Sequence, residues 1–347
     1  MMSEHPQFRL PNLLAQWPWP RAVNKHYEEI KFQFDEWVHS FEALDTKSQK
    51  LFDRCNFALL ASLGYPLLDK ESLLVACELM ALFFIYDEYT DTLDEAGARI
   101  CADAVMDALR NPHKERPQGE PKPGEIAKQF WLHAIKVASG PAQKRLLNSF
   151  GPYVYAVVEE AADRDQGRIR GIKDYLDLRV HASAAYCTLF PIEMGLDIPD
   201  EVMTHPAMKT FLDQIVYPLC LTNDLYSYNI EQAVPGHTAH NLLTVVMNEK
   251  GVDLNGALDW YTEYNEAKLA KSLEQHQKLP SWGPEMDLVV TAFVEGVGYW
   301  MRGHDCWSFE AERYFGTKGP EIQKHRMVTL FPKSTEMTPM MARPSAD

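Results

Sequence analysis

Little in this 347-residue chain is arranged for cross-linking, for basic recognition or for a membrane. Its six cysteines, Cys55, Cys77, Cys101, Cys187, Cys220 and Cys306, are scattered, with neither the paired spacing of a zinc site nor the density of a disulfide scaffold. Reduced, mostly buried thiols are expected. No stretch concentrates Lys and Arg, and acidic residues outnumber basic ones 49 to 34, so nucleic acid is not an expected partner. No apolar run approaches the ~20 residues of a membrane span. The N-terminal Met-Met-Ser-Glu-His-Pro-Gln lacks the apolar core of a secretory signal, and no Asn-x-Ser/Thr acceptor occurs. A soluble cytoplasmic protein is expected, as monomer or homodimer. The formal net charge of -15 also has a chemical consequence. An anionic substrate would meet long-range repulsion, which metal ions or a few placed arginines would have to overcome locally.

Strand-like alternation is scarce as well. Beyond about residue 25, almost every segment repeats apolar residues at three- and four-residue spacing, and 46% of the chain is hydrophobic, enough for one large helical core. The pattern predicts helices over 26–46, 48–64, 70–92, 95–110, 125–138, 141–165, 171–195, 205–232, 240–250, 253–278 and 283–306. Breaks are expected at Gly64-Tyr65-Pro66, in the polar stretch Asn111 to Gly124, and at Pro235-Gly236. None resembles a domain linker and no repeat is visible, so residues 26–316 read as a single all-α domain. An extended strap, 1–25, precedes it with Trp17-Pro18-Trp19-Pro20, and a mobile tail, 317–347, follows.

Two oxygen-rich stripes interrupt this apolar pattern. The run Leu79 to Tyr86 ends in Asp87-Glu88-Tyr89-Thr90-Asp91, which puts Asp87 and Asp91 on one face at the end of a deeply packed helix. On a later helix Asn223, Ser227 and Glu231 recur every fourth residue, within a stripe about 80° wide. An amide oxygen, a hydroxyl and a carboxylate are all hard ligands. Magnesium takes about six such oxygens and commonly bridges carboxylates to substrate phosphates. Each stripe also has a plainer reading, as a solvated acidic helix end or as groups that satisfy backbone, and their pairing favours the metal.

Together these residues resemble class I terpene synthases. Asp87-Glu88-Tyr89-Thr90-Asp91 is similar to that family's aspartate-rich motif, and Asn223, Ser227 and Glu231 match its triad, (N/D)Dxx(S/T)xxxE. Trp17-Pro18-Trp19-Pro20-Arg21 is similar to the strap of microbial members, and the segment from Trp307 to Phe315 looks like their C-terminal Trp-Ser and Arg-Tyr segment. The likeness therefore spans the chain. Ser227 to Gln232 is worded like the sesquiterpene synthases of mushroom-forming fungi, and the aspartate-rich pentad resembles those that form Δ6-protoilludene.

The resemblance implies a helical bundle with a central cavity. In it an isoprenoid diphosphate, most simply farnesyl diphosphate, is ionised with three magnesium ions and the carbocation is cyclised. It gives Asp87, with Glu88 or Asp91, one set of ions, and gives Asn223, Ser227 and Glu231 another. Arg179 falls where the family carries its pyrophosphate-sensing arginine, Arg313 and Tyr314 match its diphosphate-binding pair, and an irregular turn is implied at Ala182 and Ser183. Phe83 and Trp307 are the leading candidates for the hydrocarbon wall, with Phe57, Tyr186, Trp300, Leu219 and Cys220 after them. Two departures stand out. Ala182 replaces an aspartate of some bacterial members, and Gln232 a common basic residue. Closure on substrate is expected to order residues near 234–240 and 313–320. An isoprenyl diphosphate synthase and a non-catalytic helical binding protein are the rival readings.

Overall fold

The computed structural model describes residues 6–234 and 238–333. The expected break at Pro235-Gly236 and the chain beyond 333 lie outside the described residues. Side-chain caps fix where the long helices begin. Asp69 accepts from Ser72 N at 2.9 Å to start Lys70–Thr90, and Asp94 accepts from Gly97 N at 2.8 Å to start Glu95–Arg110. Asp253 accepts from Gly256 N at 2.9 Å to start Leu254–His276. Each carboxylate satisfies an otherwise orphaned amide and favours the positive end of its helix.

Two expected helices are divided. The helix over 48–64 is two, Thr46–Cys55 and Phe57–Gly64, because Asn56 adopts a left-handed φ of 49°. Its side chain accepts from Leu59 N and donates to Tyr27 Oη, so one residue ends the first helix and starts the second. The helix over 171–195 stops at Ala182, and Ala184 is left-handed at φ 57°. A 3-10 turn, Cys187–Leu189, and a short helix, Phe190–Glu193, complete that segment. The irregular turn expected at Ala182 and Ser183 is therefore present.

Lys70–Thr90 is buried on almost every face, as an all-round apolar helix must be. It packs against Tyr27–Ser40, Phe57–Gly64 and Lys122–Val137. Pro284–Glu310 crosses Phe57–Gly64 at close range, because Gly303 lies against the backbone of Leu63 and a methyl there would collide with it. All six cysteines are buried and free. Among the described residues no helix is long and apolar enough to cross a membrane.

The two ends of the chain meet. Strand β1, Gln7–Arg9, pairs antiparallel with β2, Met327–Thr329, placing Phe8 opposite Val328. Trp17 donates its indole N–H to Gly298 O at 3.0 Å, and Arg302 reaches the carbonyls of Leu14, Trp17 and Trp19. The strap is thus clamped along Pro284–Glu310. The tail read from 317 carries structure through this ribbon: helix Gly319–His325 precedes β2.

Candidate active site

Both stripes line one cavity. Asp87 and Asp91 reach it from the last turn of Lys70–Thr90, and Asn223 and Glu231 from the last three turns of Pro206–Glu231. Helix C-termini carry partial negative charge, yet neither helix has a basic residue in its last turn. Glu231 is 8% exposed, and its carboxyl is pushed up to about 7 by burial and then by the charge of Asp224. Its Oε2 accepts from a neutral amide, Asn241 Nδ2, at 2.9 Å. Two acidic helix ends converging on one cavity, with hard oxygens alongside, fit a divalent cation.

The remaining polar groups form a chain across the site. Arg179 donates through Nε to Asp224 Oδ1 at 2.7 Å and through Nη2 to Asn223 Oδ1 at 2.7 Å. Asp224 also accepts from Tyr175 Oη at 2.6 Å and from Leu242 N at 3.1 Å. Asn223 passes the chain on, its Nδ2 donating to Tyr314 Oη at 2.7 Å. Arg313 lies 4.8 Å over the Phe84 ring, with Nη2 3.8 Å from Asp87 Oδ2. Arg179 thereby lies between the triad helix and the helix break at Ala182, and Arg313 lies beside the aspartate-rich turn.

Several expected residues lie elsewhere. Ser227 is fully buried beneath the wall, its hydroxyl 3.4 Å from Asp224 O, and Glu88 is buried off the wall. Phe83 and Ser183 stand on the wall, as do Trp300, Leu219 and Cys220, whereas Phe57 and Trp307 do not. Phe57 stacks at 4.0 Å behind Phe84, and Trp307 lies 5.9 Å from the same ring, with its indole N–H bonded to Cys55 O at 2.8 Å. Phe84 occupies the place expected for them. Tyr186 turns away and donates to Asp213 Oδ1 at 2.8 Å. Gln232 faces the C-terminal strand, its amide donating to Phe331 O at 2.9 Å, while Asn229 exchanges bonds with Thr329 O and Phe331 N. Residues 235–237 of the segment expected to order on closure lie outside the described residues.

Folding also brings in groups that no motif marks. Arg164 lines the cavity and donates to Thr90 O at 2.8 Å and Leu93 O at 3.1 Å, capping the aspartate-bearing helix from outside. Glu160, one turn earlier, is pushed up to about 7 by burial against the pull of Arg179 and Arg164. His240 is pushed down to about 4 by burial and by Arg164. Only Asp224 had a signal in the sequence, as the second residue of the triad motif.

Solved structures share this architecture. That of a-eudesmol synthase matches with a TM-score of 0.76 at 20% identity, covering 85% of this chain and 98% of that one. Hedycaryol synthase in complex with nerolidol matches at 0.72 and 20% identity, covering 86% and 100%. The fold is that of a class I terpene synthase. The family model for terpene synthase family 2, C-terminal metal binding, matches residues 78–271, the span that holds both stripes. The Delta(6)-protoilludene synthase of Armillaria gallica is 46% identical over 334 residues, 96% of each chain. Sesquiterpene synthase 14 of Postia placenta is 44% identical over 333 residues, 96% of this chain and 95% of its own. The chain belongs to the terpene synthase family, within its fungal sesquiterpene synthases, and is a carbon–oxygen lyase.

Proposed function

We propose that the protein cyclises farnesyl diphosphate to a sesquiterpene, through 1,11-closure to a humulyl cation and on to Δ6-protoilludene. The observation that carries this reading is one cavity with acidic helix ends and arginines at its polar end and aromatic rings along its wall. Full-length likeness to several Delta(6)-protoilludene synthases supports the product. Asp87 and Asp91 on one side and Asn223 and Glu231 on the other would hold three magnesium ions, and Ser227 would have to turn out from beneath the wall to join them. Bound there, the ions supply positive charge where the leaving diphosphate develops negative charge.

The protein's own groups do the rest. Arg179 and Arg313 present guanidinium forks to the diphosphate oxygens, and Tyr314 Oη adds a donor. Phe83, Phe84, Tyr153 and Trp300 face the hydrocarbon, offering ring faces to the cation while excluding water that would quench it. Gas chromatography of the products from purified enzyme, farnesyl diphosphate and magnesium tests the reading. Δ6-protoilludene is expected, and chelation should abolish diphosphate release. Chain elongation with isopentenyl diphosphate, or metal-independent release, would sink it.

A further inference from the structure

We propose that Trp300 is the floor of the cavity and sets the longest isoprenoid chain that fits, its ring held in place by Gly64 and Tyr65. The proposal rests on the sesquiterpene-forming reading above and names the part of that site that measures the chain. Away from the polar end, the last residues on the wall are Met80 on Lys70–Thr90, Leu219 on Pro206–Glu231 and Trp300 on Pro284–Glu310. Met80 lies two turns before Asp87, about 10 Å back along its helix axis. Trp300 lies nearly three turns before the helix end that leads to Arg313, about 15 Å back. The wall thus ends about 10–15 Å from the groups that would meet the diphosphate, and Trp300 is the largest side chain at that level.

The ring is packed as a plug. Trp300 is 2% exposed, and its indole lies parallel to the Tyr65 ring, 4.7 Å between centroids at an interplanar angle of 4°. Tyr65 donates its hydroxyl to Thr188 O at 2.8 Å, so one buried tyrosine ties the floor to a second wall residue, on the turn that follows the helix break at Ala182. Gly64, at the end of Phe57–Gly64, gives the indole its room: a Cβ there would stand 2.1 Å from the ring. A methyl at that position would have to displace the indole, and with Tyr65 closing one face the cavity is the open direction. Protein interiors are close-packed, so a ring seated in this way does not yield to a longer chain. A hydrophobic pocket discriminates a single methylene by about 10–200-fold, and one isoprene unit is a larger difference. Cutting the ring away would join the space it fills to the cavity.

The full chain with magnesium provides the test, read as diphosphate release from farnesyl diphosphate and from geranylgeranyl diphosphate, which is one isoprene unit longer. The ratio of the two kcat/KM values does not depend on how much of the protein is folded, so a merely structural loss leaves it unmoved. Wild type should favour farnesyl diphosphate by about tenfold or more. Trp300→Ala, and Trp300→Leu as the milder cut, should each move the ratio toward the longer substrate by about tenfold or more. Gly64→Ala should shift selectivity the other way, toward geranyl over farnesyl diphosphate. Phe57→Leu, which thins an equally buried ring behind the wall, should leave the geranylgeranyl-to-farnesyl ratio within about threefold of wild type. An unchanged ratio in both Trp300 variants, an equal gain in Phe57→Leu, or a shift toward the longer chain in Gly64→Ala would overturn the assignment. A wild type that takes both substrates equally well would overturn it too. A wild-type protein that releases no diphosphate from farnesyl diphosphate would instead overturn the reading on which the proposal rests.

Discussion

Asp224 is the hinge of the polar network and the residue whose loss is most informative. Its side chain is 1% exposed and that of its partner Arg179 is 13% exposed, so water does little to screen the pair. Asp224→Asn keeps the shape but removes the charge that Arg179 Nε, Tyr175 Oη and Leu242 N all address. Breaking one side of a buried ion pair costs about 3–5 kcal/mol. At ~2.1 cal/mol/K per residue, 347 residues give an unfolding entropy near 0.7 kcal/mol/K, so the midpoint should fall by about 4–7 °C. Arg179, held from one side only by Asn223, would also lose its aim, and losing one charge-assisted bond lowers kcat/KM by about 10–100-fold. Scanning calorimetry and a diphosphate-release assay on the same preparation measure both effects. A midpoint within about 1 °C of wild type together with unchanged kcat/KM would refute the reasoning.

Arg313→Lys should lower kcat/KM by about tenfold or more while moving the melting midpoint little, because an ammonium keeps the charge but loses the planar stacking on Phe84. Steady-state kinetics and a thermal melt check it. Gly303→Ala should destabilise by about 1–3 kcal/mol, since the added methyl meets the Leu63 backbone, which cannot swing aside; urea denaturation reads it. His240 and His304 are both pushed down to about 4, against 6.5 for a free ring. Between those values the unfolded chain binds protons that the folded one refuses. Their contribution is complete above about pH 6.5 and is lost as pH falls through 4, by about 3 kcal/mol per ring. Urea denaturation at pH 7 and pH 4 should show a smaller loss for His304→Gln than for wild type, and equal losses would count against burial as the cause.

The stripes were legible because helical period alone decides which residues share a face. Asp87 and Asp91, or Asn223 and Glu231, needed no tertiary information to be placed together. The helix starts expected at 70 and 95 match Lys70–Thr90 and Glu95–Arg110, since a helix start is a local signal. The divisions at Asn56 and after Ala182 were harder. Asn56 tolerates a left-handed φ, but its hold on Leu59 N and Tyr27 Oη depends on a neighbouring helix. Aromatic phase was harder again. Phe84 and Phe57 both sit on apolar helices, and only the way those helices rotate against each other puts Phe84 on the wall and Phe57 behind it.

By itself the sequence determined a helical body, two acidic or oxygen-bearing helix ends, and arginines at family spacing. These follow from local rules, namely the 3.6-residue period and motif wording. Tertiary structure alone decided that both ends open into one cavity, that Arg164 caps the aspartate-bearing helix, and that Asp224 anchors Arg179. It also paired the strap with residues 327–329. Those relations join residues from helices far apart in the chain, and a packed core fixes them through the crossing and rotation of whole helices, which no single segment encodes.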